Sequence, residues 1–342
     1  MRRLGNTLYI TTQGSYLSKD GDCVQVTREG AGKTRVPLTS VDGIVCFGQV
    51  SVSPFLLGHC ADSGVCVSLL TQNGRFLARV EGPVSGNVLL RRAQYRATDD
   101  PARRAGIVHS LVAGKVANQR HVLRRARRDH GEDAEGCLAD ALRVLDGVLR
   151  RASPEGGVDT LRGQEGEAAR AYFSAFPVLV RATDPAFRFA GRVRRPPTDP
   201  VNALLSFVYV LLTHDVRGAL EMVGLDPAFG FLHVDRPGRP SLALDLMEEF
   251  RAWFADRLVL SLVNRGQVGG RDFDTGPSGA VTLTDDGRRT VLVAYQERKR
   301  EEVMHPFTAE KVAIGLLWFV QARLLAMHLR GDLDAYPPFL AK

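Results

Sequence analysis

Apolar residues change their spacing once along this chain. Up to about residue 85 they fall in short runs broken by turn formers. Leu8-Tyr9-Ile10-Thr11-Thr12 predicts a strand, and Ser18-Lys19-Asp20-Gly21-Asp22 a turn that returns through residues 23–27 as a hairpin. Residues 34–38, 43–47, 65–70 and 76–80 predict further strands, the last two joined at Gln72-Asn73-Gly74-Arg75. Ser53 followed by Pro54 marks a capped helix start. The expectation is a small, twisted antiparallel β-domain over residues 1–85.

After a linker at 86–106 the spacing becomes helical over 107–128, 136–151, 161–176, 201–216, 241–263 and 308–330. Residues 153–157 and the Pro/Arg-rich 192–200 read as loops. Two β-branched runs around Asp285-Asp286-Gly287 predict a hairpin at 280–294, inserted among the helices. The fold class is therefore α+β: a β-rich N-terminal domain, then a larger helical domain over 107–342.

Composition adds constraints. Hydrophobic residues make up 44% and charged residues 24% of the 342, ordinary for a globular chain. Five cysteines, an odd number with no CxxC pair, argue against a disulfide framework or a zinc knuckle. His59-Cys60 with Cys66 reads better as buried free thiols than as a partial metal site. The first residues lack the apolar run of a signal peptide, and the longest apolar stretches are interrupted by polar residues. A cytoplasmic protein with no membrane role is expected.

Charge changes the picture more. Between Arg91 and Arg128 stand eleven Arg/Lys, including Arg91, Arg92, Lys115, Arg120, Arg124, Arg125, Arg127 and Arg128, against only Asp99 and Asp100. The local net charge of +9 exceeds the +7 of the whole chain. Such a belt suits phosphate neutralisation, with Tyr95, Asn118, Gln119 and His121 placed to hydrogen-bond a nucleic-acid backbone. A solvated helix face is the plainer alternative. Arg192, Arg194 and Arg195 before Pro196-Pro197 form a second, stiff basic segment, a phosphate grip or a surface loop.

Acidic and histidine positions then stand out against apolar surroundings. Glu165 shares a helix face with Ala168, Ala169 and Tyr172, and Gly166 beside it suggests close approach of another element. His233 ends Gly230-Phe231-Leu232-His233. Asp245 and Glu248 share one face of an otherwise apolar helix. Buried carboxylates are costly unless paired, protonated or metal-bound; for Asp245 alone, a cap or an ion pair with Arg251 would suffice. Two carboxylates and an imidazole suit Mn²⁺ or Mg²⁺ better than zinc, and beside a basic belt they point to phosphodiester chemistry. A non-catalytic DNA-binding regulator is the competing reading.

Taken together in order, Lys115-Val116-Ala117-Asn118-Gln119-Arg120, Glu165-Gly166-x-Ala168-Ala169-Arg170-x-Tyr172, Asp199–Ser206, Gly224-Leu225-Asp226-Pro227 with Gly230–His233, and Ser241–Glu248 resemble the first CRISPR-associated protein family, the integrase of CRISPR adaptation. The opening Met1–Tyr9 is most similar to the type I-C branch. The resemblance implies metal ligands at Glu165, His233 and Glu248 (where many relatives carry Asp), and a further site acid at Asp245. It implies strand transfer by a 3′-hydroxyl onto repeat phosphodiesters, and therefore double-stranded and branched DNA as substrate. It also implies a homodimer joined through the β-domains, assembly with the second CRISPR-associated protein, and a nuclease partner of the fourth family.

Overall fold

The computed structural model describes residues 7–28, 32–72, 74, 76–80, 88–131, 136–193 and 195–341. The opening Met1–Asn6, part of the turn expected at 72–75, and Arg194 lie outside them.

The N-terminal region builds two four-stranded sheets. Its elements are β1 (Thr7–Ile10), β2 (Ser15–Asp20), β3 (Cys23–Arg28), β4 (Gly32–Pro37), β5 (Gly43–Phe47), β6 (Val50–Val52), α1 (Pro54–Asp62), β7 (Cys66–Leu70) and β8 (Phe76–Val80). Asp20 pairs with Cys23, so Gly21-Asp22 is a two-residue hairpin turn, and Gly21 takes the left-handed φ of 59° that such a turn requires. Ser53 caps α1, its Oγ accepting from Leu56 N at 3.2 Å.

The strands are not all antiparallel, as the sequence pattern had suggested. One sheet runs β4-β3-β2-β6 and the other β1-β5-β7-β8; β1, β5 and β7 are mutually parallel, as are β2 and β6. The reason lies in β5, an uninterrupted apolar run. Ile44 and Cys46 face a small core with Leu17, Val24 and Leu56, while Val45 and Phe47 face the main core. A strand buried on both faces suits a parallel sheet, and α1 supplies the crossover that parallel β5 and β7 need. None of the five cysteines is in a disulfide; burial pushes the Cys46 thiol up to about 12 and Cys60 to about 11.

The helical region begins earlier than expected. α2 (Val88–Asp99) and the start of α3 (Pro101–His130) occupy what read as a linker. Asp100 starts α3 by accepting from Ala102 N and Arg103 N. Then follow α4 (Cys137–Arg151), α5 (Gly157–Leu179), α6 (Pro200–Val223), α7 (Ser241–Phe250), a π-helical turn at Arg251–Asp256, and α8 (Arg257–Asn264). α6 is long and apolar enough to cross a membrane by composition, but Val201, Leu204, Leu205, Val208, Leu211 and Leu212 are buried in the main core.

The hairpin expected at 280–294 is displaced. β9 (Phe273–Thr275) pairs with β10 (Val281–Leu283), and α9 (Asp285–Arg300) follows at once. Asp285-Asp286-Gly287 is a helix start, not a turn: Thr284 Oγ1 accepts from Gly287 N at 3.2 Å, and the two acids sit favourably in the first turn. The second β-branched run is a helix face that buries Val291 and Leu292. Likewise the helix expected from residue 308 is shorter, because β11 (Glu302–Met304) pairs with β12 (Lys311–Ala313) before α10 (Leu317–Arg330).

Candidate metal and DNA site

Three helices and one loop converge on the polar residues singled out above. α7 carries Asp245 and Glu248, both buried. α5 carries Glu165, with Leu161, Ala168 and Tyr172 of its apolar side packed in the core. α3 brings Lys115. The loop before α7 carries His233.

The loop is pinned from several sides. Gln94 Nε2 donates to Asp226 O at 2.8 Å and Phe229 O at 2.7 Å, and its Oε1 accepts from Asp226 N. Arg104 Nε donates to Phe231 O at 2.8 Å, and Arg162 Nη2 to Leu232 O at 2.9 Å. Asp245 completes the arrangement. Its Oδ2 accepts from Phe231 N and Leu232 N at 2.6 and 2.9 Å; its Oδ1 takes His233 N at 2.9 Å and lies 2.6 Å from His233 Nδ1. Gly230 is required here, because a Cβ would come within 2.8 Å of Asp245 Oδ2 and of Ser241. Asp245 thus orients the imidazole and leaves Nε2 facing away, without a hydrogen bond among the described residues. It does not pair with Arg251.

Glu165 and Glu248 converge on one cation, the Lys115 ammonium. Lys115 Nζ contacts Glu165 Oε1 and lies 2.7 Å from Glu248 Oε2. Glu248 Oε1 pairs with Arg251, whose guanidinium lies over the Tyr209 ring at 4.3 Å. Burial alone would raise the Glu248 carboxyl, but Arg251, Lys115 and His233 outweigh it and hold the group well below the usual carboxylate range. Behind Arg251, Asp256 accepts from Tyr209 OH and from Tyr172 OH, the latter at 3.0 Å; burial pushes its carboxyl up to about 6. Glu249, next to Glu248, faces the other way and takes Tyr336 OH, Gln321 Nε2 and Phe339 N; burial raises it to about 8.

A divalent ion fits this donor set. Two carboxylates already meet around a single positive charge, and Glu248 Oε2 is buried without a hydrogen bond, held by charge alone. Among the described residues no three His, Cys, Asp or Glu side chains stand ready-made in coordinating geometry; the Lys115 ammonium lies between the carboxylates. Glu165, Glu248 and His233 Nε2 are the groups that would hold the ion.

Several expected roles change. Lys115 belongs to this cluster, not to an outward belt: it is 6% exposed. Asn118 is buried and ties α3 to the chain end, donating to Glu249 O and Phe339 O at 2.7 and 2.8 Å. Tyr95 OH donates to Asp226. Arg192 folds inward onto Asn202 Oδ1 and Ser206 Oγ, while Arg195 is exposed. Gly166 meets no other element; a Cβ there would touch only Arg170. The outward belt on α3 is Arg124, Arg125, Arg127 and Arg128, all exposed, with Arg120 and Arg124 sharing Asp146 and Arg125 and Arg128 sharing Asp129. Arg92 on α2 is exposed as well, and Arg91 half-buried. Sequence reasoning missed Tyr172, Tyr209 and Asp256 as one group.

A second cleft, lined by Ile44, Cys66, His214, Lys299 and Trp318, gathers no comparable set. Its Lys299–Asp215 pair is closed by Tyr295 OH.

The family description "CRISPR associated protein Cas1" matches residues 8–297. The chain is 59% identical to the CRISPR-associated endonuclease Cas1 1 of Chlorobaculum tepidum over 99% of both chains, and 57% identical to the CRISPR-associated endonuclease Cas1 2 of Rhodospirillum rubrum over the full length of both. A solved CAS1 protein from Thermotoga maritima superposes with a TM-score of 0.81 at 25% identity, over 95% of this chain and 97% of that one. Similarity at this level over nearly the whole length places the chain in the Cas1 family of CRISPR-associated endonucleases.

Proposed function

We infer that the protein is the integrase-nuclease of CRISPR adaptation, inserting captured DNA as new spacers by attack of its 3′-hydroxyl on repeat phosphodiesters. The observation that carries the reading is the convergence of Glu165 and Glu248 on one cationic point, beside a His233 oriented by Asp245, on the helix that bears the basic belt. A regulator without catalysis would have no use for a buried Glu248 and a half-buried Glu165 aimed at one point.

Each group has a task. Glu165, Glu248 and His233 Nε2 would hold Mn²⁺ or Mg²⁺, which when bound would polarise the scissile phosphate and acidify the attacking hydroxyl. Asp245 fixes the His233 ring and its tautomer. Arg251, clamped by Glu248, Tyr209 and Asp256, keeps Glu248 ionised and aimed. Lys115 and Arg251 put positive charge where a phosphate would enter, and the exposed arginines of α3 hold the DNA backbone, with Arg91, Arg92 and Arg195 at its margin. The ion-binding role of these side chains, a homodimer through the β-sheets, assembly with the second CRISPR-associated protein and a fourth-family nuclease, and the type I-C branch are part of this proposal and rest on the sequence resemblance.

The test is strand transfer on branched DNA with Mn²⁺. Glu165→Ala should keep the wild-type circular dichroism and lose transfer by about a hundred- to a thousandfold, the scale expected for removing a charge-stabilising group. Wild-type transfer by the folded variant would remove Glu165 from the site.

A further inference from the structure

Lys115 is held in place by more than its charge. One residue earlier, Gly114 lets α3 approach so closely that a Cβ would lie 2.8 Å from Pro338 and 3.2 Å from the Glu249 side chain. One turn later, Asn118 donates to Glu249 O. These contacts lock α3 against α7 and direct the Lys115 side chain at Glu248 and across to Glu165 on α5. Within the cluster two cations, Lys115 and Arg251, balance two carboxylates, Glu165 and Glu248. A divalent ion on the same carboxylates leaves a surplus of positive charge in a buried place. Arg251 has a second set of partners in Tyr209 and Asp256; Lys115 has a hydrogen bond to Glu165 and ion pairs to the two carboxylates as its side-chain partners among the described residues.

We propose that Lys115 is a built-in competitor for the divalent ion: its ammonium holds Glu165 and Glu248 together and sets the concentration at which a metal can take them. The proposal rests on the metal-site reading above. It separates two jobs of one lysine. As a clamp, it keeps the buried Glu248 and the half-buried Glu165 from repelling each other. As a competitor, it weakens metal binding, so that the site loads only when the ion displaces the ammonium. A lysine that merely packed would do neither, and a lysine that served only DNA would not change metal affinity in its absence.

The experiment is calorimetric titration of Mn²⁺ alone into the DNA-free protein near neutral pH, with thermal unfolding in EDTA, for wild type, Lys115→Met, Lys115→Arg, Glu165→Gln and the double variant Lys115→Met/Glu165→Gln. Lys115→Met keeps the side-chain length without the charge. It should bind Mn²⁺ about tenfold tighter than wild type, as removal of one nearby charge implies, and unfold at a lower temperature in EDTA. Adding Glu165→Gln to Lys115→Met should recover part of that loss, since one of the repelling acids is gone. Lys115→Arg should stay close to wild type in both. Mn²⁺ binding by Lys115→Met no tighter than wild type overturns the competitor role, and a double variant no more stable than Lys115→Met overturns the clamp. Failure of the underlying site reading shows differently: wild type and Glu165→Gln would then bind Mn²⁺ alike.

Discussion

Asp245 and Glu248 are one helical turn apart, yet their surroundings assign them different work. Both oxygens of Asp245 are engaged by backbone amides and the His233 ring, whereas Glu248 meets only cations. Asp245→Asn replaces one acceptor oxygen by an amide nitrogen and leaves backbone donors unsatisfied. It should cost about 2–4 kcal/mol of stability and weaken Mn²⁺ binding by about 10–100-fold without abolishing it. Glu248→Ala should abolish it. Urea denaturation with parallel Mn²⁺ titration decides; loss of binding only in Asp245→Asn would reverse the assignment. At this scale the sequence showed which acids and which histidine were out of place among apolar neighbours. It misassigned Lys115 because a charge run does not reveal which helix face turns inward. It could not show that Arg251 would pair with Glu248 while Tyr172 and Tyr209, 84 and 47 positions away from Asp256, would meet behind it.

Among the elements, the π-helical turn at Arg251–Asp256 is the most telling, since such turns accumulate at functional sites. It carries both Arg251, which reaches forward to Glu248, and Asp256, which anchors the turn to two tyrosines. Asp256 has a folded value of about 6, above its unfolded value near 3.9. Between those values the folded protein holds a proton that the unfolded chain has released. Stability from this residue is therefore fully present below about pH 4 and declines as pH rises towards about 6. The gap of about two between the folded and unfolded values corresponds to about 3 kcal/mol. Asp256→Asn should remove this decline, so the variant gains on wild type by up to that amount between those pH values, whatever constant cost the altered acceptor adds. Urea midpoints across the range give the answer; parallel curves for the two proteins would contradict it. Periodicity placed α4, α5 and the span of α7 to α8 within a few residues, started α3 late, ended α6 early, and left α2 as linker and α9 as hairpin. It failed where a capped acidic helix start imitated a turn, at Thr284-Asp285-Asp286-Gly287, and where a strand buried on both faces concealed its parallel partners.

At the scale of the molecule, the β1-β5-β7-β8 sheet is the wall shared by two cores. The tilted contact of Phe47 with Phe207, ring centroids 5.9 Å apart, joins the β-region to α6. α3 runs from this body past the Glu165–Lys115–Glu248 cluster and out along its exposed arginines. From Lys115 to Arg124 the helix rises about 14 Å and turns about half-way round, so the exposed arginines and the buried Lys115 stand on different sides of α3. Replacing Arg124, Arg125, Arg127 and Arg128 by Ala should weaken binding alike for unrelated DNA sequences. It should flatten the slope of log affinity against log salt by about 0.9 for each phosphate that is no longer neutralised. Because Asp129 and Asp146 already share these arginines, the total change should be smaller than the same arginines would give if each were unpaired. An unchanged slope would move the DNA elsewhere. Concentration of charge was visible in the sequence, but its division into an inward lysine and an outward arginine face was not.

The central claim is that Glu165, Glu248 and His233 share one divalent ion. Anomalous scattering from crystals grown with Mn²⁺ tests it most directly. One strong manganese peak is expected, bonded to carboxylate oxygens of Glu165 and Glu248 and to His233 Nε2, with Asp245 still on Nδ1 and the Lys115 ammonium moved off the carboxylates. A manganese peak bound by Asp245 with Glu248 still paired to Lys115, or no peak between α5 and α7, would contradict it.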